Sequence, residues 1–143
     1  MNIFYLTKLI KSYYNLPKGY IIDNPNFLNF VCKIFDICDV YISNKALKHI
    51  VESRKDKDFM TVDEIIDLVK GFTVVLLDPD VVFINEERIN SIGLVKKFRT
   101  DEPYSLVVIL EYNSIYFNYE LVTLFERHDK KIKHYLNIKH LIK

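Results

Sequence analysis

Apolar residues near the N-terminus recur every three or four positions, a spacing typical of a helix that buries one side. This first helix is predicted to end before the turn residues of "LPKG". Similar spacing after Pro25 predicts a second helix over Phe27–Phe35, and "DVYIS" predicts a short extended segment that leads to a third helix. The apolar positions of the first two helices are Ile3, Phe4, Leu6, Leu9, Ile10, Tyr13, Phe27, Phe30, Val31, Ile34 and Phe35.

Two residues are placed where helices commonly begin. Ser43 precedes the third helix, and its hydroxyl is suited to accept a hydrogen bond from an unpaired backbone N–H group. Thr61 and Glu64 have the spacing of a capping box, which predicts the start of a fourth helix. Gly71 follows the last apolar position of this helix and predicts its end.

From residue 73 the pattern changes to runs rich in β-branched and aromatic residues. "TVVLLDPDVVFIN" predicts two strands around an Asp78-Pro79-Asp80 turn, "GLVKKFR" predicts a further strand, and "YSLVVILEYNSIYFNYELVTLFER" predicts a long hairpin that turns near Asn113. "HDKKIKHYLNIKHLIK" returns to helical spacing. The order predicts an α+β fold in which N-terminal helices pack on a small antiparallel sheet, followed by a C-terminal helix.

The length of 143 residues fits a single domain over 1–143, and the hydrophobic half of the composition is enough for a buried core. Within it we distinguish a helical N-terminal extension (1–38), a core (40–128) and a C-terminal helix (129–143). Lys8 and Lys11 interrupt the apolar N-terminal segment, so no secretory signal is evident. Apolar runs are far shorter than the ~20 residues that span a bilayer. We expect a soluble, cytoplasmic protein without a membrane partner.

Metal and cofactor chemistry has little support in the sequence. Cys32 and Cys38 lack the paired spacing and histidine partners of a zinc site, which favours two reduced, partly buried thiols. None of the three glycines belongs to a phosphate-binding loop pattern. We expect no metal and no cofactor. The net charge is +1, but an acidic middle separates two basic flanks, which indicates either a groove for polyanions or an ordinary mixed surface.

The third helix, "SNKALKHIVESRK", carries the most suggestive polar residues. At 100° per residue, Lys45, Lys48, His49 and Glu52 share one side, and apolar residues occupy the other. Arg54 falls near the apolar side, so either the helix has ended there or the side chain follows the core and raises its guanidinium into a cleft. A purely structural interpretation remains open, in which Lys48 pairs with Glu52 and His49 is solvated.

Several segments occur in an order that resembles the phage-associated nucleases of the barnase, EndoU, colicin and RelE-like superfamily. They are "ISNKALKHIVESR", "VDEIIDLVKGF", "VVLLDPDVVF", a strand with "KK", "LVVILEYN" and "ELVTLFER", and together they cover about residues 40–128. The resemblance implies a histidine on a helix, a small antiparallel sheet packed against helices, and a Ser or Thr near the last strand. It also implies RNA cleavage without metal, in several cases by toxins.

Transferred to this chain, the resemblance assigns the helix histidine to His49 and the strand threonine to Thr123. Where the family often has a second histidine, this chain has Arg54, which can stabilise a phosphate but is a poor proton donor. The predicted catalytic residues are therefore His49, Lys48, Arg54 and Thr123. The predicted substrate-binding residues are Lys45, Arg127, Lys96 and Lys97. Each also has a structural explanation, as a solvated charge, a helix cap or a β-former.

The resulting functional hypothesis is a metal-independent, RNA-cleaving, toxin-like protein of phage or mobile-element origin. The alternative is a catalytically inactive, phage-borne inhibitor that binds a host defence protein, which the missing second histidine favours. An antitoxin or adaptor is a third possibility, and residues 1–38 could form a homodimer contact. His128, His134 and His140 lie among C-terminal lysines that could contact RNA backbone or remain solvated.

Overall fold

A computed structural model describes residues 3–20, 27–32, 38–115 and 117–138 of the chain. The helices are α1 (Ile3–Tyr14), α2 (Asn44–Lys57), α3 (Val62–Leu77) and α4 (Asp129–Ile138). The strands are β1 (Phe27–Cys32), β2 (Cys38–Ser43), β3 (Val81–Ile84), β4 (Ser91–Lys96), β5 (Tyr104–Asn113) and β6 (Asn118–His128). The predicted α+β class is confirmed. Within the described ranges, no helix combines the length and apolar character that crossing a bilayer requires.

The strands form one sheet in the order β1-β2-β6-β5-β4-β3. Every neighbouring pair is antiparallel except β2 and β6, which run parallel through Val40–Tyr119 and Tyr41–Glu120. The sheet is therefore mixed rather than purely antiparallel as expected. On the side of β6 away from β5, the pairing with β2 is limited to these residues, and α2 lies beside the second half of β6.

The main core lies between one face of the sheet and helices α1 to α3. One buried apolar cluster includes Leu6 of α1, Leu47 of α2, Phe72 of α3 and Val108 of β5. The opposite face carries a smaller cluster to which α4 contributes Ile132; its buried strand residues are Phe83, Val95, Val107 and Ile109. The sheet thus has helices on both faces, with much the larger cover on the α1–α3 side.

Both predicted helix caps are present. The Ser43 hydroxyl accepts a hydrogen bond from the Ala46 backbone N–H at 3.0 Å. At the start of α3, the Thr61 hydroxyl accepts from the Glu64 N–H, and the Glu64 carboxylate accepts from the Thr61 N–H. These bonds satisfy backbone donors that have no partner within the helix.

We expect Thr61→Ala to lower the free energy of unfolding by about 1 kcal/mol, because one half of the capping box is lost. Thr73→Ala is the matched control, since the Thr73 hydroxyl donates to the Lys70 carbonyl of its own helix and caps nothing. Chemical denaturation of both variants measures the difference. Equal stability of the two variants would show that the cap contributes nothing.

Two segments were predicted wrongly. Phe27–Cys32 forms β1, paired with β2 along its whole length, so the N-terminal extension is not entirely helical; residues 33–35 of the predicted second helix lie outside the described residues. Helix α3 continues past Gly71 to Leu77, and the predicted first strand of "TVVLLDPDVVFIN" is helical. Val75 and Leu76 extend its buried face into the main core, which outweighs the strand preference of this run.

Candidate functional site

A cleft of about 620 Å³ lies between α2 and the second half of β6. We call it the helix–strand cleft. Helix α2 and the residue after it contribute His49, Ser53, Arg54, Lys57 and Asp58. Strand β6 contributes Val122, Thr123, Phe125, Glu126 and Arg127, and Arg88 reaches the cleft from the turn between β3 and β4.

The α2 wall follows from helical spacing. His49, Ser53 and Lys57 are four residues apart and therefore lie along one side of the helix, with Arg54 next to them. The His49 side chain is exposed, whereas the Arg54 side chain is only 11% exposed. Of the two alternatives for Arg54, the structure shows the second, because the helix continues to Lys57 and the guanidinium lies against the cleft.

The β6 wall depends on a β-bulge. Thr123 pairs with Ile109, while Leu121 pairs with Leu110, so Val122 is an extra residue in β6. Beyond the bulge, Thr123, Phe125 and Arg127 alternate onto the sheet face that α1–α3 do not cover. Arg127 therefore turns towards the cleft.

Cations outnumber anions around the cleft. Arg54, Lys57, Arg88 and Arg127 line it, against Asp58 and Glu126. Arg54 donates to Asp58 at 2.5 Å, and Arg88 pairs with Glu111. No ion pair between described residues involves Lys57 or Arg127. Among the described residues, two cations of the cleft that His49 also lines thus have no ion-pair partner, which favours an anionic ligand.

Arg54 is held firmly in this wall. Its Nη1 binds Asp58, and its Cζ lies 6.0 Å from the centre of the Phe125 ring. Its Nε is buried and has no hydrogen-bond partner among the described residues. A buried donor without a partner is costly, and a negative charge in the cleft would offset part of that cost electrostatically.

Glu126 adds a carboxyl group that the sequence did not single out. Partial burial raises the pKa of Glu126, and the nearby carboxylates of Glu102, Asp58 and Glu64 raise it further. A carboxylate with a raised pKa is a better proton acceptor near neutral pH. The cleft therefore holds an imidazole and a carboxyl group, either of which can carry a proton.

We expect Glu126→Gln to stabilise the fold at neutral pH by less than about 1 kcal/mol, because solvent reaches the partly buried side chain and screens its repulsions. The sign follows from the raised pKa of Glu126: folding favours the protonated acid, so the charged form destabilises the fold above that pKa. The stabilisation by Glu126→Gln should become smaller as the pH is lowered through the pKa of Glu126. Thermal unfolding against pH, with Glu120→Gln as control, measures the effect. Destabilisation at neutral pH would contradict it.

Lys48 lies elsewhere. Its side chain is only 6% exposed and its ammonium binds Glu52, whose carboxylate also accepts from the Gly19 N–H at 3.2 Å. The predicted pairing with Glu52 is confirmed, but the predicted solvated position is wrong. The hydrogen bond from Lys48 lowers the pKa of Glu52. Lys48 therefore joins α2 to the segment after α1, and it is absent from the cleft lining.

The remaining predicted lysines are also outside the cleft. Lys45 is exposed in the first turn of α2 and does not line it. Lys96 binds Asp78 and Asp80, at 3.2 and 3.4 Å. Lys97 binds Asp129 at the start of α4, and this hydrogen bond lowers the pKa of Asp129. The structure thus gathers His49, Arg54, Thr123 and Arg127 but not the four lysines.

His128 does not share the cleft with its neighbour Arg127. Its Nδ1 accepts a hydrogen bond from the Lys130 N–H at 3.1 Å, and its ring meets Tyr104 edge to face. It therefore helps to start α4. The side chain of His134, and His140 altogether, lie outside the described residues.

Helical spacing links Lys57 to His49, but nothing in the sequence places Glu126 or Arg88 beside them. Strand alternation puts Glu126 on the sheet face opposite Thr123 and Arg127. The cleft reaches both faces because α2, not another strand, borders β6 at this level. This arrangement arises from the short β2–β6 pairing, which local sequence pattern does not indicate.

In the part of the chain that the structure describes, no three His, Cys, Asp or Glu side chains are grouped so that they could hold a metal ion. The side chains of Cys32 and Cys38 lie outside that part. Comparisons with protein-family models, curated proteins and solved structures gave no match. The geometry of the helix–strand cleft, together with the sequence resemblance, is therefore the basis for any functional interpretation.

Proposed function

We propose that the helix–strand cleft binds RNA and cleaves it without a metal ion. The observation that carries this proposal is that His49 and Arg54 of α2 line the same cleft as Thr123 and Arg127 of β6, about 70 residues later in the chain. These are four of the positions that the resemblance and the chemistry of RNA cleavage single out.

The cations of the cleft support a role in phosphate binding. Arg127 and Lys57 have no carboxylate partner among the described residues, and both lie in a cleft that also contains a hydroxyl donor, Thr123. Guanidinium and ammonium groups offset the charge that builds on the phosphorus oxygens during cleavage. Arg54, fixed by Asp58, would contribute charge from a constant position.

The proton transfers would be shared between His49 and Glu126. In the first step the carboxylate of Glu126 removes the proton from the 2′-hydroxyl, and O2′ attacks phosphorus. The bond from phosphorus to O5′ breaks, a 2′,3′-cyclic phosphate forms, and protonated His49 gives its proton to O5′. Proton exchange with water then restores both groups. The raised pKa of Glu126 suits the role of base, which leaves the acid to His49.

The cellular part of the proposal is a toxin-like activity, of phage or mobile-element origin, exerted in the cytoplasm where RNA is accessible. It is supported by the sequence resemblance. Induced expression of the wild-type chain should arrest growth and fragment cellular RNA. Growth arrest with intact RNA would contradict RNA cleavage as its cause.

A second candidate is a protein-binding role without catalysis, as in an inhibitor of a host defence protein. Exposed apolar side chains at one end of the sheet favour it: Ile89, Ile115 and Phe117 are 85, 78 and 77% exposed. The β3–β4 and β5–β6 turns that carry them lie at the same end because β4 and β5 are antiparallel, with Ser91 opposite Glu111. Intact RNA together with a stoichiometric complex that Phe117→Asp abolishes would support this alternative.

A further inference from the structure

A second cavity, of about 740 Å³, lies on the sheet face that α1–α3 leave uncovered. We call it the sheet-face groove. Its floor consists of buried apolar side chains of the smaller core cluster, including Phe83, Val107 and Ile109. The start of α4 forms one side through Lys130, Lys131 and Ile132. Its volume falls within the range of ordinary small-ligand sites.

The groove continues directly from the helix–strand cleft. Arg88, Val122, Thr123, Phe125 and Arg127 line both cavities. The β-bulge at Val122 lies at this junction. A ligand with a phosphate beside His49 and Thr123 could therefore extend over the sheet face without leaving the protein surface.

The groove combines an apolar floor with a cationic rim. Arg88, Arg127, Lys130 and Lys131 face a single acidic lining residue, Glu87. Lys130 and Lys131 form no ion pair within the described ranges. A ligand that matches both features has flat or apolar groups on one side and negative charges on the other.

Phe125 stands at the passage between the two cavities. It is only partly buried, and its ring centre lies 4.6 Å from the Cζ of Arg127 and 6.0 Å from that of Arg54. Arginine and aromatic side chains close together are a common surface for nucleobases, because both can stack on a planar ring. The neighbouring guanidinium groups can bind the phosphates that join successive bases.

We propose that the sheet-face groove holds unpaired bases of single-stranded RNA next to the phosphate that is cleaved in the helix–strand cleft. This inference rests on the proposed function and specifies its substrate class. The bases of an A-form duplex are stacked and paired, so their faces cannot reach Phe125 or the apolar floor. Single-stranded RNA is therefore expected to bind more tightly than a duplex of the same sequence.

The test is a binding measurement that needs no cleavage. A fluorescent 2′-O-methyl RNA has no 2′-hydroxyl proton and cannot react, so its anisotropy reports binding by the full wild-type chain. The single strand should bind at least about tenfold more tightly than its duplex, since stacking of one base alone can supply that factor.

Two pairs of variants locate the bound strand. Lys131→Glu should weaken binding about fivefold or more, whereas Lys133→Glu, with the same charge reversal on the same exposed helix, should change it less than about twofold. Phe125→Leu keeps apolar volume but removes the stacking surface, and should reduce the preference for the single strand. Phe98→Leu, outside the groove, is its control.

The outcomes separate the inference from the function on which it rests. If the wild type cleaves RNA but neither Lys131→Glu nor Phe125→Leu changes RNA affinity, the groove is not the base site, and the cleavage proposal still stands. Binding through the groove without cleavage of ordinary RNA would support the groove and overturn catalysis. If single strand and duplex bind with equal affinity, the groove does not bind unpaired bases. The same conclusion follows if the protein binds only protein ligands and no RNA.

Discussion

We expect His49→Ala to lower the rate of RNA cleavage by about 10²- to 10⁴-fold, the usual contribution of a positioned acid or base. The imidazole is exposed on the α2 wall, so its removal leaves no cavity in the core. Binding of non-cleavable RNA should change by less than about threefold, because the cations of the cleft remain. Single-turnover cleavage and anisotropy measure the two effects separately.

His128→Asn is the matched control for this variant. It also removes an imidazole, but from a position outside the cleft, and the asparagine oxygen can replace Nδ1 as acceptor for the Lys130 N–H. Cleavage should stay within about twofold of wild type, since the proposed reaction takes place in the cleft and His128 does not line it. Equal losses in the two variants would indicate a general effect of histidine removal and contradict the role of His49.

We expect Gly93→Ala to destabilise the fold by about 2–4 kcal/mol, at the upper end for an overpacked core. The ring of Phe83 lies across β4 at Gly93, and an added Cβ would come 2.7 Å from Cε2 and closer still to Cζ and Cε1. Phe83 is completely buried and cannot move away without disturbing the smaller core cluster. Denaturant unfolding measures the loss.

Gly71→Ala is the control, because its added Cβ meets mainly the flexible end of Leu106, at 3.1 Å, within a helix that alanine favours. Its stability should stay within about 1 kcal/mol of wild type. Adding Phe83→Leu to Gly93→Ala should recover at least about 1 kcal/mol relative to the sum of the single changes, since the two sites are in contact. Full additivity would show that the ring does not restrict Gly93.

Strong local signals predicted most of the fold. The caps at Ser43 and Thr61 gave the starts of α2 and α3, and the long β-rich run gave the β5–β6 hairpin with its turn near Asn113. Runs of β-branched residues also indicated β3 and β4. These elements depend on interactions between residues close in sequence, which is why their pattern is informative.

The wrong predictions concern segments whose structure is decided by distant partners. Phe27, Phe30 and Val31 have helical spacing, but short apolar runs are ambiguous, and pairing with β2 makes this one a strand. "TVVLL" has strand composition, but packing of Val75 and Leu76 against the sheet keeps it helical. Gly71 does not end α3, because it does not adopt the positive φ of a helix-ending glycine and the helix continues to Leu77.

The candidate site was predictable only in part. His49 and Arg54 followed from the α2 sequence, and Thr123 and Arg127 from the predicted last strand, but their proximity required the fold. Helical spacing placed Lys48 on the solvated side, whereas its pairing with Glu52 beneath the segment after α1 buries it. Glu126 reaches the cleft because β2 pairs with β6 only near Val40 and Tyr41, and Arg88 reaches it from the turn between β3 and β4.

Metal-free cleavage at a 2′-hydroxyl can be detected with one oligonucleotide. The substrate is a DNA strand with a single ribonucleotide, incubated with the wild-type chain in excess EDTA and analysed by mass spectrometry. We predict one cut after the ribonucleotide, leaving a 2′,3′-cyclic phosphate upstream and a 5′-hydroxyl downstream. An uncut strand, cutting that requires added Mg²⁺, or equal cutting of an all-DNA strand would contradict metal-free RNA cleavage by this protein.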